Sequence, residues 1–476
     1  MTTTSTPATS AAPATTGALR FPPTFRWGAA TAAYQIEGSE TADGRSASIW
    51  DTFSRVPGAV AGGDTGEVAC DHYRRMPEDV ALMADLGVGW YRFSTSWPRV
   101  RPRAGRPEPA GIAFYDRLVD ELLGRGVSPW LTLYHWDLPQ ELEDAGGWTV
   151  RDTADRFVEY AVTLHEALGD RVPVWTTLNE PWCSAFLGYT AGIHAPGRRE
   201  GAAGLRAAHH LLLAHGMAAA ELRARGAESV GITLNLTVAD PADPDDPADV
   251  DAARRVDALH NRLFLDPLTR GTYPADLLAD TEHLGWTEVV RDGDLATIAA
   301  PIDVLGVNYY HGDAVAGRAE ADASGPSPFV AAEPLSMPTR GLPRTAMDWE
   351  VQPEGLTRLL VRLHERHPGL PLVVTENGAA YDDVVGPDGR VDDHDRLDFL
   401  DQHLRALHAA MAAGADVRGY FAWSFLDNFE WAEGYAKRFG LVHVDYATQR
   451  RTPKASARWY AEVCRTGLLP SREGLA

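Results

Sequence analysis

Two glutamates of this chain, Glu180 and Glu376, stand in the same local context. Each is adjacent to an asparagine and closes an apolar, β-branched run, "VPVWTTLNEP" at 172–181 and "LPLVVTENG" at 370–378. Hydrolysis of a glycosidic bond requires two carboxyl groups, one to protonate the leaving oxygen and one to attack or stabilise the anomeric carbon. Most glutamates are solvated surface residues, but the repeated context favours a catalytic pair.

Polar side chains also follow most of the other apolar runs, namely Gln35, Glu37, Arg92, His135, Asp137, Asn235, Asn308 and His311. We expect Arg92 to pair with Glu376 and hold that carboxyl ionised. Glu180, in a drier setting among aromatic residues, would keep its proton at neutral pH. The two carboxyl groups would then take opposite roles.

Several of the 14 tryptophans lie near the ends of these runs: Trp97, Trp136, Trp182, Trp423 and Trp431. Core packing is the commoner role for any one tryptophan. A tryptophan beside His135, Asp137, Glu430 or Glu433 is less easily a core residue, and an indole face can stack on the apolar C–H face of a sugar ring. The tryptophans therefore favour a carbohydrate site.

The elements that must position these residues are eight apolar runs separated by amphipathic segments with helical periodicity. The runs lie at 25–34, 89–97, 128–136, 173–180, 229–237, 303–310, 370–377 and 417–425. Several are apolar on both faces, as parallel strands under helices are. Eight βα repeats predict a single (β/α)8 TIM barrel of the α/β class, whose active site lies at the C-terminal mouth of the strands.

One catalytic domain accounts for nearly the whole chain. We expect a disordered Thr/Ala/Pro/Ser-rich tail at 1–17, the barrel at 18–466 and a flexible C-terminal tail at 467–476. Two polar, Pro-rich insertions, 240–253 and 316–334, are interpreted as surface loops, and the second is expected to border the entrance to the site.

Composition excludes several function classes. The net charge of -22 disfavours nucleic-acid partners and anionic membranes. No apolar run is long enough for a membrane span, and the N-terminus lacks the features of a secretory signal. The three cysteines form no disulfide pattern, so a reducing cytoplasm is the expected location.

No cofactor is predicted, and no metal site. A dinucleotide or phosphate-loop fingerprint follows none of the runs. His209, His210 and His215 fall in a helical pattern in which the first two face apart, so we interpret them as satisfied helix residues. A metal-dependent barrel hydrolase usually has paired histidines closing the first strand, and "TAAYQIEG" has none.

Seven motifs in order resemble the family 1 glycoside hydrolases, the β-glucosidase family, over residues 20–464. "TLNEP" and "VTENG" are similar to its two signature motifs, and "FRWGAATAAYQIEG" resembles its N-terminal signature. "YRFSTSWPR", "LYHWDLP", "GVNYY" and "WSFLDNFEWAEGYAKRFGLVHVDY" also match in order. The resemblance implies a retaining β-glycosidase on a (β/α)8 barrel without a cofactor.

The resemblance also implies roles for individual residues. Glu180 would be the acid/base and Glu376 the nucleophile, with about 5 to 5.5 Å between the two carboxyl groups in a retaining enzyme. The implied substrate-binding residues are Gln35, His135, Trp136, Asn179, Tyr310, Trp423, Glu430, Trp431 and Phe439, and Arg92, Asn308 and Tyr310 would orient the nucleophile. Trp182, Cys183, His194 and Trp349 would line the leaving-group (aglycone) side.

Two positions narrow the expected substrate. Glu180 stands where thioglucosidases of the family have glutamine, which indicates ordinary O-glycosides. Glu430 stands where phospho-glycosidases have a small hydroxyl residue, and we expect its charge to repel a sugar phosphate. The resemblance therefore implies small neutral β-glycosides, such as cellobiose or aryl β-glucosides.

The predicted function is a cytoplasmic β-glucosidase that removes terminal non-reducing β-D-glucosyl residues, with a role in carbohydrate metabolism and cellulose degradation. A β-galactosidase, β-fucosidase or transglycosylase on the same site is the first alternative. A non-catalytic sugar-binding barrel and a metal-dependent hydrolase are more distant alternatives. The presence of both Glu180 and Glu376 disfavours the non-catalytic barrel.

Overall fold

Eight parallel strands close into a barrel within residues 17–318 and 326–472, which are the residues that the computed structural model describes. The strands are β1 (Arg26–Thr31), β2 (Trp90–Ser94), β3 (Ser128–Tyr134), β4 (Val174–Asn179), β5 (Ser229–Asn235), β6 (Val304–Asn308), β7 (Leu372–Asn377) and β8 (Val417–Trp423). Each lies inside one of the eight predicted runs. Each strand pairs with the next along the chain, and β8 pairs with β1 to close the ring. The predicted (β/α)8 barrel is confirmed.

Long helices cover the outside of the barrel. They are α1 (His72–Asp85), α2 (Pro109–Gly124), α3 (Asp152–Leu168), α4 (Gly201–Ala224), α5 (Pro247–Asp257), α6 (Pro353–Arg366), α7 (His394–Ala412) and α8 (Ala455–Thr466). In α6, Leu356, Leu359, Leu360 and Leu363 are buried, which is the spacing of one helix face. Proline in the first turn of α6 fits a helix start, because its missing N–H would be unpaired there in any case.

Shorter helices occupy the connections on both sides of the barrel. They include Ala33–Ile36, Ile49–Phe53, Trp97–Val100, Gln140–Asp144, Leu263–Arg270, Ala275–Thr281 and Asp294–Ile298, and the wider π-helical turns Cys183–Thr190 and Ala258–Arg262. None of the helices in the described part of the chain combines the length and apolar character that a membrane-spanning helix requires.

The insertion at 240–253 is more ordered than the expected surface loop. Ala239–Pro241 forms a short strand with Asp313–Val315, and α5 begins at Pro247. The Asp246 side chain accepts a hydrogen bond from the Ala248 N–H, so the Asp-Pro pair that favours a loop in isolation serves here as a helix cap. The prediction of a loop was wrong for this part of the insertion.

The C-terminal segment also differs from the expected flexible tail. Leu468–Leu469 pairs in antiparallel fashion with Leu19–Arg20, and Leu469 is fully buried. Another two-stranded sheet joins Val442–Asp445 to Arg450–Pro453. The predicted N-terminal tail, apart from Gly17, the segment 319–325 of the second insertion, and residues 473–476 of the predicted C-terminal tail lie outside the described residues.

The floor of the barrel is filled by side chains. Trp130 packs edge-on against Phe421 with ring centroids 5.2 Å apart, and its indole N–H donates to Thr176 Oγ1. Below them the Arg26 guanidinium lies 4.9 Å from the centroid of the Trp90 ring. A packed floor leaves the opposite, C-terminal mouth as the side from which a ligand enters.

Candidate active site

Strand register places the two glutamates at the mouth. Glu376 lies in β7 opposite Asn308 of β6. Glu180 follows directly after β4 and has a φ of +46°, a left-handed conformation that is strained for any residue with a side chain. Its backbone N–H still donates to Thr233 O at 2.9 Å. Strained backbone of this kind concentrates at functional sites, where the surrounding structure enforces it.

An asparagine connects the two strand ends. Asn308 Nδ2 donates to Glu180 Oε1 at 2.7 Å, and Thr375 Oγ1 donates to Asn308 Oδ1 at 2.7 Å. The threonine hydroxyl therefore fixes which end of the amide faces Glu180. Asn308 therefore holds the acid/base candidate directly, and it also acts on the predicted nucleophile, because its hydrogen bonding opposes the rise in the pKa of Glu376.

Glu376 is held by a cation and a phenol. Arg92 Nη1 donates to Glu376 Oε1 at 2.5 Å, and Tyr310 Oη donates to Glu376 Oε2 at 2.8 Å. Arg92 Nη2 donates to Asn179 Oδ1 at 2.6 Å. The Arg92–Glu376 pair is almost fully buried, so water screens it little. The expected pairing of Arg92 with Glu376 is present in the structure.

The two carboxyl groups differ in how strongly their surroundings favour the proton. Burial, and next the charge of Glu376, raise the pKa of Glu180 to about 8. Burial also raises the pKa of Glu376, but the Arg92 charge and the hydrogen bonds from Arg92, Tyr310 and Asn308 oppose that shift. The surroundings therefore favour the proton on Glu180 and the ionised form on Glu376.

A cavity of about 480 Å³ opens above this pair. It is lined by most of the predicted site residues: His135, Trp136, Glu180, Trp182, Cys183, His194, Asn308, Tyr310, Trp349, Glu376, Trp423, Glu430, Trp431 and Phe439. Gln35, Arg92 and Asn179 are absent from this lining. Arg92 and Asn179 lie behind the wall and contact the residues that line it.

One end of the cavity is built from aromatic rings and buried polar groups. The His135 ring lies nearly parallel to those of Trp423 and Trp431, with centroids 5.7 Å and 6.0 Å away. Burial holds the pKa of His135 well below its usual range, so the ring is neutral and its Nε2 accepts from Asn179 Nδ2 at 3.1 Å. Trp136 Nε1 donates to Asn179 O, which leaves its ring face for contacts.

Gln35 and Glu430 meet at the same end. Gln35 Nε2 donates to Asn428 Oδ1, Phe429 O and Glu430 Oε2, at 2.9, 2.8 and 3.5 Å. Gln35 Oε1 is buried without a partner among the described residues, so it is an unused acceptor. Burial, with the charges of Glu376 and Glu180, raises the pKa of Glu430 to about 8.

The pKa of Glu430 alters one expectation from the sequence. A carboxyl group that keeps its proton at pH 7 does not repel a sugar phosphate by its charge. The basic residues that follow it are already engaged, because Lys437 Nζ donates to Ala346 O and Arg438 Nη1 contacts Asp427. The engagement of Lys437 and Arg438 therefore disfavours a phosphorylated sugar, whether or not Glu430 is charged.

The opposite end of the cavity is mostly apolar. Trp182 stacks on His260 with centroids 4.1 Å apart, and Phe329 lies 5.6 Å from Trp182. Trp349 contacts Tyr310 at 5.4 Å. Residues without a predicted site role also line the cavity: Leu187, Ile193, Thr237, His260, Asp313, Phe329, Met337 and Met347. They lie on the segments that connect the barrel strands to the long helices, some within short elements such as Cys183–Thr190, Ala258–Arg262 and Asp313–Val315, which are too short to show a periodicity. Phe329 falls in the insertion that was expected to border the entrance.

The histidines of α4 take the structural role predicted for them. His209 contacts Tyr273 Oη and Asp294 Oδ2, at 2.9 and 3.0 Å. His210 Nδ1 contacts Trp148 O, and His215 Nδ1 contacts Thr177 Oγ1. Each is buried with a partner of its own, and they do not converge on a common point.

Comparison with known proteins agrees with this geometry. Residues 18–467 match Glycosyl hydrolase family 1. The chain is 52% identical over 459 residues to thermostable β-glucosidase B of Thermobispora bispora, covering 96% of this chain and 93% of the relative. It is 49% identical over 455 residues to a bifunctional β-D-glucosidase/β-D-fucosidase of Bifidobacterium breve, covering 92% of this chain and 97% of the relative.

Solved structures give the same result. The psychrophilic β-glucosidase BglU from Micrococcus antarcticus superposes with a TM-score of 0.92 at 56% identity, over 94% of this chain and 98% of that one. A Thermotoga maritima β-glucosidase in complex with noeuromycin superposes with a TM-score of 0.87 at 45% identity, over 94% and 99%. Sequence, fold and site agree, and the chain therefore belongs to glycosyl hydrolase family 1, as a retaining glycoside hydrolase of the β-glucosidase type.

Proposed function

We propose that Glu376 is the nucleophile and Glu180 the acid/base of a double displacement. In the first step a Glu376 carboxylate oxygen forms a bond to the anomeric carbon while the bond from that carbon to the aglycone oxygen breaks. The proton of Glu180 passes to the departing oxygen. The product is a glycosyl-enzyme ester with an ionised Glu180.

The second step reverses the roles. Glu180 takes a proton from a water molecule, whose oxygen attacks the anomeric carbon and releases the Glu376 carboxylate. This transfer restores the protonated form of Glu180, and the sugar leaves with its original configuration. Arg92 and Tyr310, which contact opposite oxygens of Glu376, stabilise the carboxylate before attack and after release.

The glycone, the sugar that is transferred, is assigned to the end of the cavity with His135, Trp423 and Trp431. Trp423 would form the platform under the ring, and Glu430 and Gln35 would bind hydroxyls. Gln35 Oε1 has no partner among the described residues, and a small rotation of the Gln35 side chain toward the cavity would let a sugar hydroxyl supply that hydrogen bond. Asn179 and Phe439 complete the proposed contacts, and Trp182, Cys183, His194 and Trp349 face the aglycone.

The observation that carries the proposal is the unequal environment of the two carboxyl groups. We expect Glu376→Ala to lower kcat for p-nitrophenyl β-glucoside by more than about 10⁴-fold. Added azide restores release, because it fits where the carboxylate was removed, and the product is the α-glucosyl azide. Glu180→Ala with azide instead yields the β-glucosyl azide, because azide then attacks the glycosyl-enzyme. The configuration of each azide is read by NMR.

Glu143→Gln is a matched control. Glu143 is a partly buried glutamate hydrogen-bonded to Tyr189 outside the cavity, so its replacement changes a largely shielded carboxyl without touching the site. We expect its kcat to stay within a few-fold of wild type, with no azide product. Substantial activity of Glu376→Ala without azide would refute the proposal that Glu376 is the nucleophile.

We propose β-glucosides as the preferred substrates, with activity on β-fucosides as well. The name of the Bifidobacterium breve relative, a bifunctional β-D-glucosidase/β-D-fucosidase, supports the second activity. A fucoside differs from a galactoside by loss of the 6-hydroxyl group, so a site that gains little from that hydroxyl accepts both. Comparison of kcat/KM for p-nitrophenyl β-glucoside, β-fucoside and β-galactoside tests this order.

Aryl β-glucosides and cellobiose are the proposed natural substrate classes, which would place the enzyme at the last step of cellulose degradation in the cytoplasm. The aromatic wall of Trp182, Phe329 and Trp349 supports aryl aglycones, because flat apolar groups stack on such surfaces. Release of glucose from cellobiose and from an aryl glucoside tests the substrates, and cell fractionation tests the location.

A further inference from the structure

Cys183 lies within contact distance of the acid/base candidate. It begins the π-helical turn Cys183–Thr190, three residues after Glu180, and its side chain is buried. The thiol donates to Glu180 Oε2 with Sγ and Oε2 3.5 Å apart, within the reach of a hydrogen bond to sulfur. Glu180 thus has a donor on each oxygen, Asn308 on Oε1 and Cys183 on Oε2.

The other side of the sulfur is occupied by an amide. Asn235 is the last residue of β5, and its Nδ2 donates to Cys183 Sγ at 3.4 Å. The same Nδ2 lies 3.2 Å from His260 Nε2. Burial lowers the pKa of His260 to about 4, so at neutral pH the ring is neutral. Because an amide nitrogen can only donate, Asn235 Nδ2 is the donor of this pair and His260 Nε2 the acceptor. The amide must then present N–H groups to both neighbours.

This arrangement determines the direction of the thiol hydrogen bond. A thiol carries a single proton and weak acceptor lone pairs. Because Asn235 donates to the sulfur, the proton of Cys183 is left for Glu180. The His260 ring is in turn held flat against Trp182. His260, Asn235, Cys183 and Glu180 therefore form a relay, in which each contact fixes the orientation of the next group.

We propose that Cys183 is a positioning residue that donates its thiol proton to Glu180, oriented for that purpose by Asn235 and His260. This rests on the proposed role of Glu180. Glu180 is protonated in the first chemical step and ionised in the second, and a donor on Oε2 stabilises the ionised form. The relay would therefore lower the pKa of Glu180, whereas burial raises it.

Groups other than the Cys183 thiol also shift the pKa of Glu180. Those facing it from the neighbouring strand ends and from the loop after β8 are Glu376, Arg92, Tyr310 and Glu430. Burial and Glu376 favour the protonated form of Glu180, whereas Asn308, Cys183 and Arg92 favour the ionised form. Burial also raises the pKa of Cys183 well above its usual range, so the thiol remains a donor and is not a thiolate nucleophile.

The pH dependence of kcat/KM tests the relay, because its alkaline limb reports the acid/base of the free enzyme. We expect Cys183→Ala to move that limb upward by roughly half to one pH unit, since a donor to the ionised form is lost. Asn235→Ala should move it in the same direction by less. Cys183→Ser supplies a hydroxyl donor and should bring the limb back to the wild-type position or below.

Leu187→Ala is the matched control for altered shape. Leu187 lines the same cavity without a hydrogen bond to Glu180, so its KM for aryl glucosides can change while the alkaline limb stays in place. An unshifted limb in Cys183→Ala, or an equal shift in Leu187→Ala, would overturn the relay. A wrong azide product from the Glu376 and Glu180 variants would instead overturn the catalytic assignment, so the two failures are distinguishable.

An infrared measurement on the wild type keeps the test independent of variant folding. If the thiol donates to Glu180, an S–H stretching band shifts as Glu180 ionises with rising pH, and the same band does not titrate in Glu180→Gln. An S–H spectrum that does not respond to pH in the wild type would refute the hydrogen bond itself.

Discussion

At the scale of single residues, this site works by keeping carboxyl groups out of water. The pKa values of Glu180 and Glu430 both rise to about 8, and burial is the largest cause in each case. The same burial that keeps the catalytic proton available at neutral pH makes ionisation unfavourable in the folded protein. Activity and stability are therefore linked through the same groups.

The sign of this linkage gives a prediction for stability. A folded-state pKa near 8 lies above the ordinary glutamate value, so Glu180 contributes stability at low pH that is lost as pH rises through about 8. Glu180→Gln resembles the protonated form at every pH and still offers an oxygen to Asn308. We expect its Tm to exceed that of wild type by roughly 2 °C at pH 8.5, with little difference at pH 5.

The control for this prediction is Glu78→Gln. The Glu78 side chain is 67% exposed, so its solvation changes little on folding, and the difference in Tm from wild type should not vary between the two pH values. Calorimetric scans of the three proteins at both pH values make the comparison. A Tm difference for Glu180→Gln that is the same at pH 5 and pH 8.5 would contradict the linkage.

At the scale of elements, the ends of neighbouring strands approach so closely that some positions accept no side chain. Gly378 follows β7, and a Cβ placed on it would lie 1.7 Å from the carbonyl oxygen of Trp423 at the end of β8. This close approach brings Glu376, two residues before the glycine, next to the tryptophan that we assign to the sugar platform. Glycine is therefore required at the last position of "VTENG" because a side chain there would clash with the backbone of β8.

Gly378→Ala should separate the two strand ends. We expect kcat/KM for p-nitrophenyl β-glucoside to fall by about 10²-fold, which is the effect of a displacement near 1 Å in a catalytic group. The clash should also lower the free energy of unfolding by about 1–3 kcal/mol. Steady-state kinetics and urea denaturation measure the two effects.

Gly124→Ala is the corresponding control, because a Cβ at this last residue of α2 would meet nothing within 4 Å. It should leave kinetics unchanged and be neutral or slightly stabilising. Wild-type kinetics in Gly378→Ala would show that the strand ends separate without moving either functional side chain.

At the scale of the whole molecule, a buried ion network joins the C-terminal segment to the loops that follow β7 and β8. Lys454 Nζ contacts Asp427 Oδ1 at 2.7 Å and also Asp383, with no part of the lysine side chain exposed. Arg396 of α7 pairs with Asp383 at 2.8 Å. Asp427 lies three residues before Glu430, so the network supports the wall of the proposed sugar site.

Removal of the buried cation should be strongly destabilising. Lys454→Met leaves two buried carboxylates short of positive charge, and we expect a loss of about 3–5 kcal/mol in the free energy of unfolding. Adding Asp427→Asn to Lys454→Met should recover part of that loss, since one unpaired charge is removed. Urea denaturation of the single and double variants forms a thermodynamic cycle.

A surface pair provides the comparison for this network. Arg125 pairs with Glu121 within one helical turn and is 41% exposed, so Arg125→Met should change the free energy of unfolding by less than about 1 kcal/mol. Equal effects of Lys454→Met and Arg125→Met would mean that the network does not depend on its buried cation.

The sequence by itself determined the architecture and the central pair. Strand and helix periodicity are local properties, so the eight strands were predictable, and parallel strands in a closed barrel must bring their C-terminal ends together. Glu180 and Glu376 could therefore be chosen as partners from their positions at strand ends. The family resemblance then supplied most of the residues that line the cavity.

Only the tertiary structure decided features that depend on distances between remote segments. The pKa of Glu430, the contacts of Asn308 with Glu180, and the relay through Asn235 and His260 all arise from groups on different elements. The apolar aglycone wall includes Phe329, on a connection whose composition resembled an ordinary surface loop. Electrostatic and packing effects depend on which residues are close in space. A sequence pattern shows such effects only for residues that are also close along the chain.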